Sequence, residues 1–415
     1  MKEIFRDFVM LLFALSILAA TTSLMGNIAT VVVFIFTSVA IVTKDGISLS
    51  VSKPMTYLWL FFFIVILYSL FGYGKLNEKT FNTELFAAIS ILSVFIMSSY
   101  VKFFKDSQIR ALLWFFILCI IYDVIGTTYV SVINPMALRE YGFGGLEGAE
   151  LLTATQYYSL GMMSYGLAHA MSIVAVGLSV LICYSSNKFL KIVSIVLLFM
   201  IIRILFVMTI TTALLLSILG CSIIFAVYFS KGKVLTSLLF VGLLFVAFFS
   251  SGLLLTALDF AEGNNNEIAV KLIDFVTFAQ TGSDEGQAGY RQSLYSVSFN
   301  TFLHNPILGG GKDNGSRNVI GEHSYLFDYL AYYGLFALLF FLAWWKDFKS
   351  SVKRVSKKLR ITYYCTFIPV IGMVVLKAQS VCGIMPIFSL VFLQIVFTHL
   401  DNEGKKDAKY GIRPV

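Results

Sequence analysis

A chain of 415 residues that is 58% hydrophobic and only 13% charged is no ordinary soluble domain, where about a quarter of residues carry charge. Such a composition buries many apolar faces against lipid and against one another rather than around one water-enclosed core. The formal net charge of +8 would suit nucleic acid, but the basic residues sit in short segments beside apolar runs, which is the pattern that orients membrane proteins.

Apolar windows of about twenty residues, the length that crosses a bilayer, fall at 8–25, 27–43, 55–73, 85–104, 111–130, 163–184, 189–206, 208–229, 234–255, 325–345, 361–378 and 382–399. The expected fold is therefore all-α: a polytopic integral membrane protein with twelve transmembrane helices, forming a single membrane domain over 1–415. The charged start followed by apolar residues has the form of a signal peptide, but the second apolar window follows at once and favours an uncleaved first span. The run 189–229 is too long for one span and predicts a helical hairpin that turns near Val207 to Thr212.

Twenty-two of the 31 Lys and Arg residues fall on one side of this plan, which places both termini in the cytoplasm. Two longer segments are then expected outside, at 131–162 and 256–324. The second is an extracytoplasmic loop before the tenth helix; it opens on Asn264-Asn265-Asn266 and includes an apolar-periodic piece, Ile268 to Phe278, expected as an interfacial helix. The basic run 346–360 is expected to anchor topology on an anionic lipid surface.

The end of that loop concentrates the chemistry. Arg291 is followed by Pro306-Ile307-Leu308-Gly309-Gly310-Gly311, then by Glu322 and His323 just before an apolar helix with Gly334 in its third turn. Polar groups held at a membrane surface between spans are costly and usually act on something. A glycine-rich turn adopts backbone shapes closed to other residues and exposes amides that can approach an anion. The five cysteines lie in or at the ends of apolar segments with no CxxC pair, so they read as small buried hydrophobes. The four histidines lack ligand-like spacing, and no metal is expected.

The series Arg291, Phe302, Pro306, Gly309, Gly311, His323 and Gly334 resembles the shared region of the bacterial O-antigen polymerase and O-antigen ligase family. Ser324 stands where that family often has Asn, and the close match covers 291–334 of the 415 residues. The resemblance implies a membrane glycosyltransferase of the GT-C-like kind in the bacterial inner membrane, with its active site on the outer face and no cofactor. It implies a glycan donor linked to undecaprenyl pyrophosphate, a sugar acceptor, surrounding membrane lipids, and a flippase and a chain-length regulator as partners; nucleic acid has no place in it. The leading function is a repeat-unit polymerase for O-antigen or capsule polysaccharide. The alternative is an O-antigen ligase that uses lipid A core as acceptor. A lipid-linked oligosaccharide flippase is a third reading; it predicts two internally similar halves, and the sequence has no visible repeat.

Departure of a pyrophosphate develops negative charge that fixed cations can stabilise. Arginine suits the task because its planar fork binds phosphate oxygens in pairs. Arg291 is the first candidate, against an ion pair with Asp284 or Glu285. Arg203 is the second, against snorkelling to headgroups; the family's hairpin Arg is missing from Thr209-Ile210-Thr211-Thr212-Ala213, and Arg203 lies on the preceding arm. Lys312, Arg317, Lys377, Gly309 and Gly311 complete the expected pyrophosphate-binding set. His323 is expected to deprotonate or orient the acceptor hydroxyl, or to donate to phosphate, against a helix-start histidine bonded to loop backbone. Glu322 and Asp328 either act as the base, fix the imidazole tautomer, or complement a helix N-terminus. His304 reads as loop packing, His169 as a satisfied interior histidine, and Asp123 as a weaker acid or hydrogen-bonding candidate.

Overall fold

The segment Tyr165–Tyr184 is apolar on every side and rich in Gly, Ala and Ser, so it suits a position where helices surround it closely. In the computed structural model every residue from Leu167 to Leu181 is buried. The structure describes residues 2–21, 35–39, 52–70, 90–141, 148–231, 242, 287–310, 320–377 and 384–409, and among these no strand occurs.

The described elements in chain order are α1 (Lys2–Thr21), α2 (Lys53–Leu70), α3 (Ser90–Phe103), α4 (Asp106–Ile133), α5 (Ala137–Tyr141), α6 (Gly148–Ser159), α7 (Tyr165–Tyr184) and α8 (Lys188–Val207). They continue with α9 (Thr211–Phe229), α10 (Gln287–His304), α11 (Tyr325–Tyr333), α12 (Ala337–Arg354), α13 (Lys357–Cys365), α14 (Ile368–Leu376) and α15 (Leu393–Lys409), which a π-helical turn at Ile387–Phe392 precedes. Six of the expected windows hold helices long and apolar enough to cross a membrane: α4, α7, α8, α9, the pair α11–α12 and the pair α13–α14. The windows at 8–25, 55–73 and 85–104 hold the shorter apolar helices α1, α2 and α3. The windows 27–43 and 234–255, the interfacial piece Ile268 to Phe278 and much of the loop 256–324 lie largely or wholly outside the described residues.

Helix α7 packs against α8, α9, α14 and α15. Small residues set those distances. A methyl on Gly177 would come 2.5 Å from the Phe392 ring, and one on Gly220 of α9 would come 2.4 Å from Val176. Side chains cap the helix starts: Ser164 Oγ accepts from Leu167 N at 3.2 Å, and Asn187 Oδ1 accepts from Phe189 N at 3.0 Å. Helices α8 and α9 form the expected hairpin around Met208, Thr209 and Ile210, with Thr209 at φ 56°. Phe189, Ile192, Val196 and Phe199 of α8 recur at helical spacing and are all exposed, a face suited to lipid.

Polar bonds close the end of the bundle where α7 finishes. Glu403 accepts from Ser185 Oγ at 3.0 Å and Ser186 N at 3.1 Å, Asp401 accepts from Ser356 N at 2.9 Å, and Lys406 pairs with Asp106. In the interior, Ser98 Oγ donates to Asp347 Oδ2 at 2.5 Å, and Trp344 Nε1 donates to Ser389 Oγ at 3.0 Å.

Two departures from the sequence expectation matter for the site. Residues 287–304, expected as loop, form the helix α10. The apolar segment from 325, expected as one helix, stops at Tyr333; Gly334 takes φ 59° and a short 3-10 turn leads into α12.

Candidate functional site at the start of α11

On α10, Arg291, Tyr295 and Ser298 recur at i, i+4 and i+7 and so share one face. That helix packs against α11. Ser298 Oγ donates to Asp328 Oδ1 at 2.6 Å and accepts from Gly321 N at 2.9 Å. Asp328 Oδ2 accepts from Ser324 N at 3.0 Å, and Ser324 Oγ caps α11 by accepting from Phe327 N at 3.3 Å. Buried Ser298 and Asp328 thereby clamp the turn 321–324 from both sides. Gly321 is needed there because any Cβ would lie 2.1 Å from the Leu294 carbonyl oxygen.

The clamp sets the position of His323. Its Nδ1 donates to the Glu322 carbonyl at 3.0 Å. A carbonyl can only accept, so this bond keeps the proton on Nδ1 and leaves Nε2 as the acceptor in the neutral ring. Burial holds the His323 imidazole below its ordinary range, and the charges of Arg291 and Lys377 push in the same direction. Glu322 stands at φ 56°, a left-handed conformation that costs a non-glycine residue about 1–2 kcal/mol. The Tyr332 hydroxyl donates to its carboxylate at 3.3 Å.

Lys377 ends α14, 86 positions after Arg291 in the sequence, and the fold ties that end to α10 and α11. Tyr325 N donates to the Lys377 carbonyl at 2.7 Å, and the Tyr295 hydroxyl donates to the Leu376 carbonyl at 3.2 Å. Arg291 and Lys377 both act electrostatically on His323 and on His169. Among the described residues no carboxylate forms an ion pair with Arg291. His169, near the start of α7, is buried, stacks on Tyr165 and bonds through Nδ1 to the Tyr165 carbonyl at 3.0 Å. It is the satisfied interior histidine expected.

The glycine motif is built into the helix break. A Cβ on Gly309 (φ 76°) would lie 2.5 Å from Tyr332 O, and one on Gly334 would lie 2.3 Å from Ile307 O. Leu335 N donates to Pro306 O at 2.8 Å and Gly310 N to Ala331 O at 2.7 Å. Gly309 N donates to Asn305 O at 2.7 Å, so the amides of Gly309 and Gly310 are both engaged within the protein. The Pro-x-x-Gly turn and Gly334 are thus one packed unit that ends α11 and fixes its direction.

Gly311, Lys312 and Arg317 lie outside the described residues. Arg203, one turn before the end of α8, has its Nη1 buried with no hydrogen-bond partner among the described residues, and no described bond links it to the Arg291–Lys377 group. His304 closes α10 by donating from Nδ1 to Asn300 O at 2.8 Å. Asp123 is buried in the middle of α4, with neither carboxylate oxygen hydrogen-bonded to a described residue. No group of three or more metal-ligating side chains occurs among the described residues.

Tyr295 and Ser298 were not singled out from the sequence. Their spacing from Arg291 was the available signal once 287–304 is read as a helix. Among the described residues the fold defines an all-α chain with six helices long and apolar enough to cross a membrane, and Arg291, His323 and Lys377 lie on elements joined at the start of α11. The sequence matches no protein-family model and no curated protein.

Proposed function

We propose that the chain is a polysaccharide repeat-unit polymerase that acts at the outer face of the bacterial inner membrane. It would transfer a glycan from undecaprenyl pyrophosphate to a hydroxyl of a lipid-linked repeat unit. The observation that carries this reading is that hydrogen bonds tie α10, which bears Arg291, and the end of α14, which bears Lys377, to the start of α11 beside His323. Two cations whose charge bears on a neutral base suit a reaction that expels a diphosphate while it consumes an alcohol.

In that reaction the acceptor oxygen bonds to the anomeric carbon. The bond from that carbon to the diphosphate oxygen breaks, and its electron pair leaves on the phosphate. The hydroxyl proton passes to His323 Nε2, which the Nδ1 bond to Glu322 keeps available. Arg291 and Lys377 bind the charge that develops on the leaving group. Asp328 and Ser298 act as positioning residues, because they hold the turn that carries the base. Glu322 stands beside the base and is held by Tyr332.

Disruption of the gene tests the reading and separates it from its relatives. Loss of a polymerase leaves lipid A core capped with single units, or short capsule oligomers. Loss of a ligase leaves long glycans on the carrier lipid, and loss of a flippase traps single units on the cytoplasmic leaflet. Either of the last two outcomes contradicts the proposal.

A further inference from the structure

A cleft opens at the end of α7 away from His169. From Tyr165 to Tyr184 the helix runs twenty residues, or about 30 Å, which matches the hydrocarbon thickness of a bilayer. The Tyr184 hydroxyl bonds to Thr362 Oγ1 at 2.9 Å, joining α7 to α13. Between them lies a cleft of about 600 Å³, within the size range of pockets for small ligands. Val227, Tyr228 and Ile361 give it apolar walls, and Lys231, Lys357 and Lys358 supply its charge. No carboxylate is among the described residues that line it.

The two chemistries together restrict the occupant. A fatty chain alone does not call for three lysines, and a free phosphate does not call for apolar walls. The lysines also oppose a headgroup that carries its own cation. Helix α13 begins at Lys357, and Asp401 already meets that helix start through Ser356 N, so the positive charge of the cleft comes from its lysines. On the rim, Phe229 is 77% exposed and Ile361 40%, surfaces that suit lipid chains better than water.

We infer that this cleft binds the headgroup and first methylenes of an anionic phospholipid at the membrane face opposite His323. The inference is independent of the reaction proposed above. It is tested with the full-length protein in neutral detergent, titrated with dioleoyl-phosphatidylglycerol, dioleoyl-phosphatidylcholine or inorganic phosphate and followed by native mass spectrometry. The phosphatidylglycerol is expected to bind saturably, the phosphatidylcholine to bind far more weakly, and phosphate to displace neither.

The triple variant K231Q/K357Q/K358Q is expected to weaken phosphatidylglycerol binding roughly tenfold or more. K349Q/K353Q, which removes two exposed charges from α12 outside the cleft, is expected to leave it unchanged. Should the triple variant fail to fold, I361W fills the apolar wall without a change of charge and must also weaken binding. Equal affinity for the two lipids, displacement by inorganic phosphate, or an equal loss in K349Q/K353Q would each overturn the assignment.

Discussion

At the scale of single residues, the account rests on the protonation state of His323. Burial and the charges of Arg291 and Lys377 hold its folded value below the usual 6.5. A base must be neutral, so activity should persist as pH falls below 6.5 and fail only as pH passes through the lowered value. Removing a neighbouring cation raises that value, so the acid limb of the pH–rate profile should move to higher pH in K377M and in the residual activity of R291Q. A limb that stays in place in both variants would separate His323 from these charges. The same sign holds for stability: this group's contribution is full above about 6.5 and is lost as pH falls through the folded value. Ser298 makes a different prediction. S298A removes the donor to Asp328 and the acceptor of Gly321 N, both buried, and should cost about 2 kcal/mol in a denaturation measurement. An unchanged midpoint would mean that the clamp does not hold the turn. Arg291 and Lys377 stood out in the sequence because charge is conspicuous in an apolar chain, and His323 because it directly precedes an apolar run. Ser298 was not, because a serine announces nothing until its helix partner is known.

At the scale of elements, the motif was visible but its physical reason was not. The glycines suggested amides for an anion, whereas Gly309 N and Gly310 N are bonded to Asn305 O and Ala331 O. The spacing of Pro306, Gly309 and Gly334 reflects a turn seated in a broken helix, and only packing reveals that. G309A and G334A should each destabilise the protein by about 2 kcal/mol or more, since each adds a left-handed strain to a sub-van-der-Waals contact. Melting midpoints measured by intrinsic fluorescence would show the drop, and wild-type midpoints would refute the close approach. Helix α10 escaped the sequence reading for a related reason. The stretch QAGYRQSLYSVSFNTFLH mixes polar and apolar residues without a strong stripe, and its tertiary bonds run from Tyr295 to the end of α14 and from Ser298 to α11. The hairpin α8–α9 was legible from length alone, because no single span accommodates 189–229.

At the scale of the whole molecule, α7 sets the frame. Its start lies beside the cationic site and its end beside the lysine-lined cleft, one bilayer thickness apart. Six of the twelve apolar windows hold helices long enough to span, but the windows did not show that α7 is the helix its neighbours enclose; that follows from small residues such as Gly177 and Gly220 meeting Phe392 and Val176. With the native cysteines replaced, a probe that does not cross the membrane should label Y290C in intact cells, and K188C and K357C only after the inner face is opened. The reverse pattern would put the site in the cytoplasm. The central claim, that Arg291 and Lys377 hold a departing diphosphate while His323 takes a proton from the acceptor, is tested most directly by reconstitution. The purified protein in vesicles, given undecaprenyl-pyrophosphate-linked repeat units, should form longer glycans. R291A and H323A, folded and inserted as the wild type, should each lose activity by about a hundredfold or more. Glycan of wild-type length and rate from both variants would contradict the account.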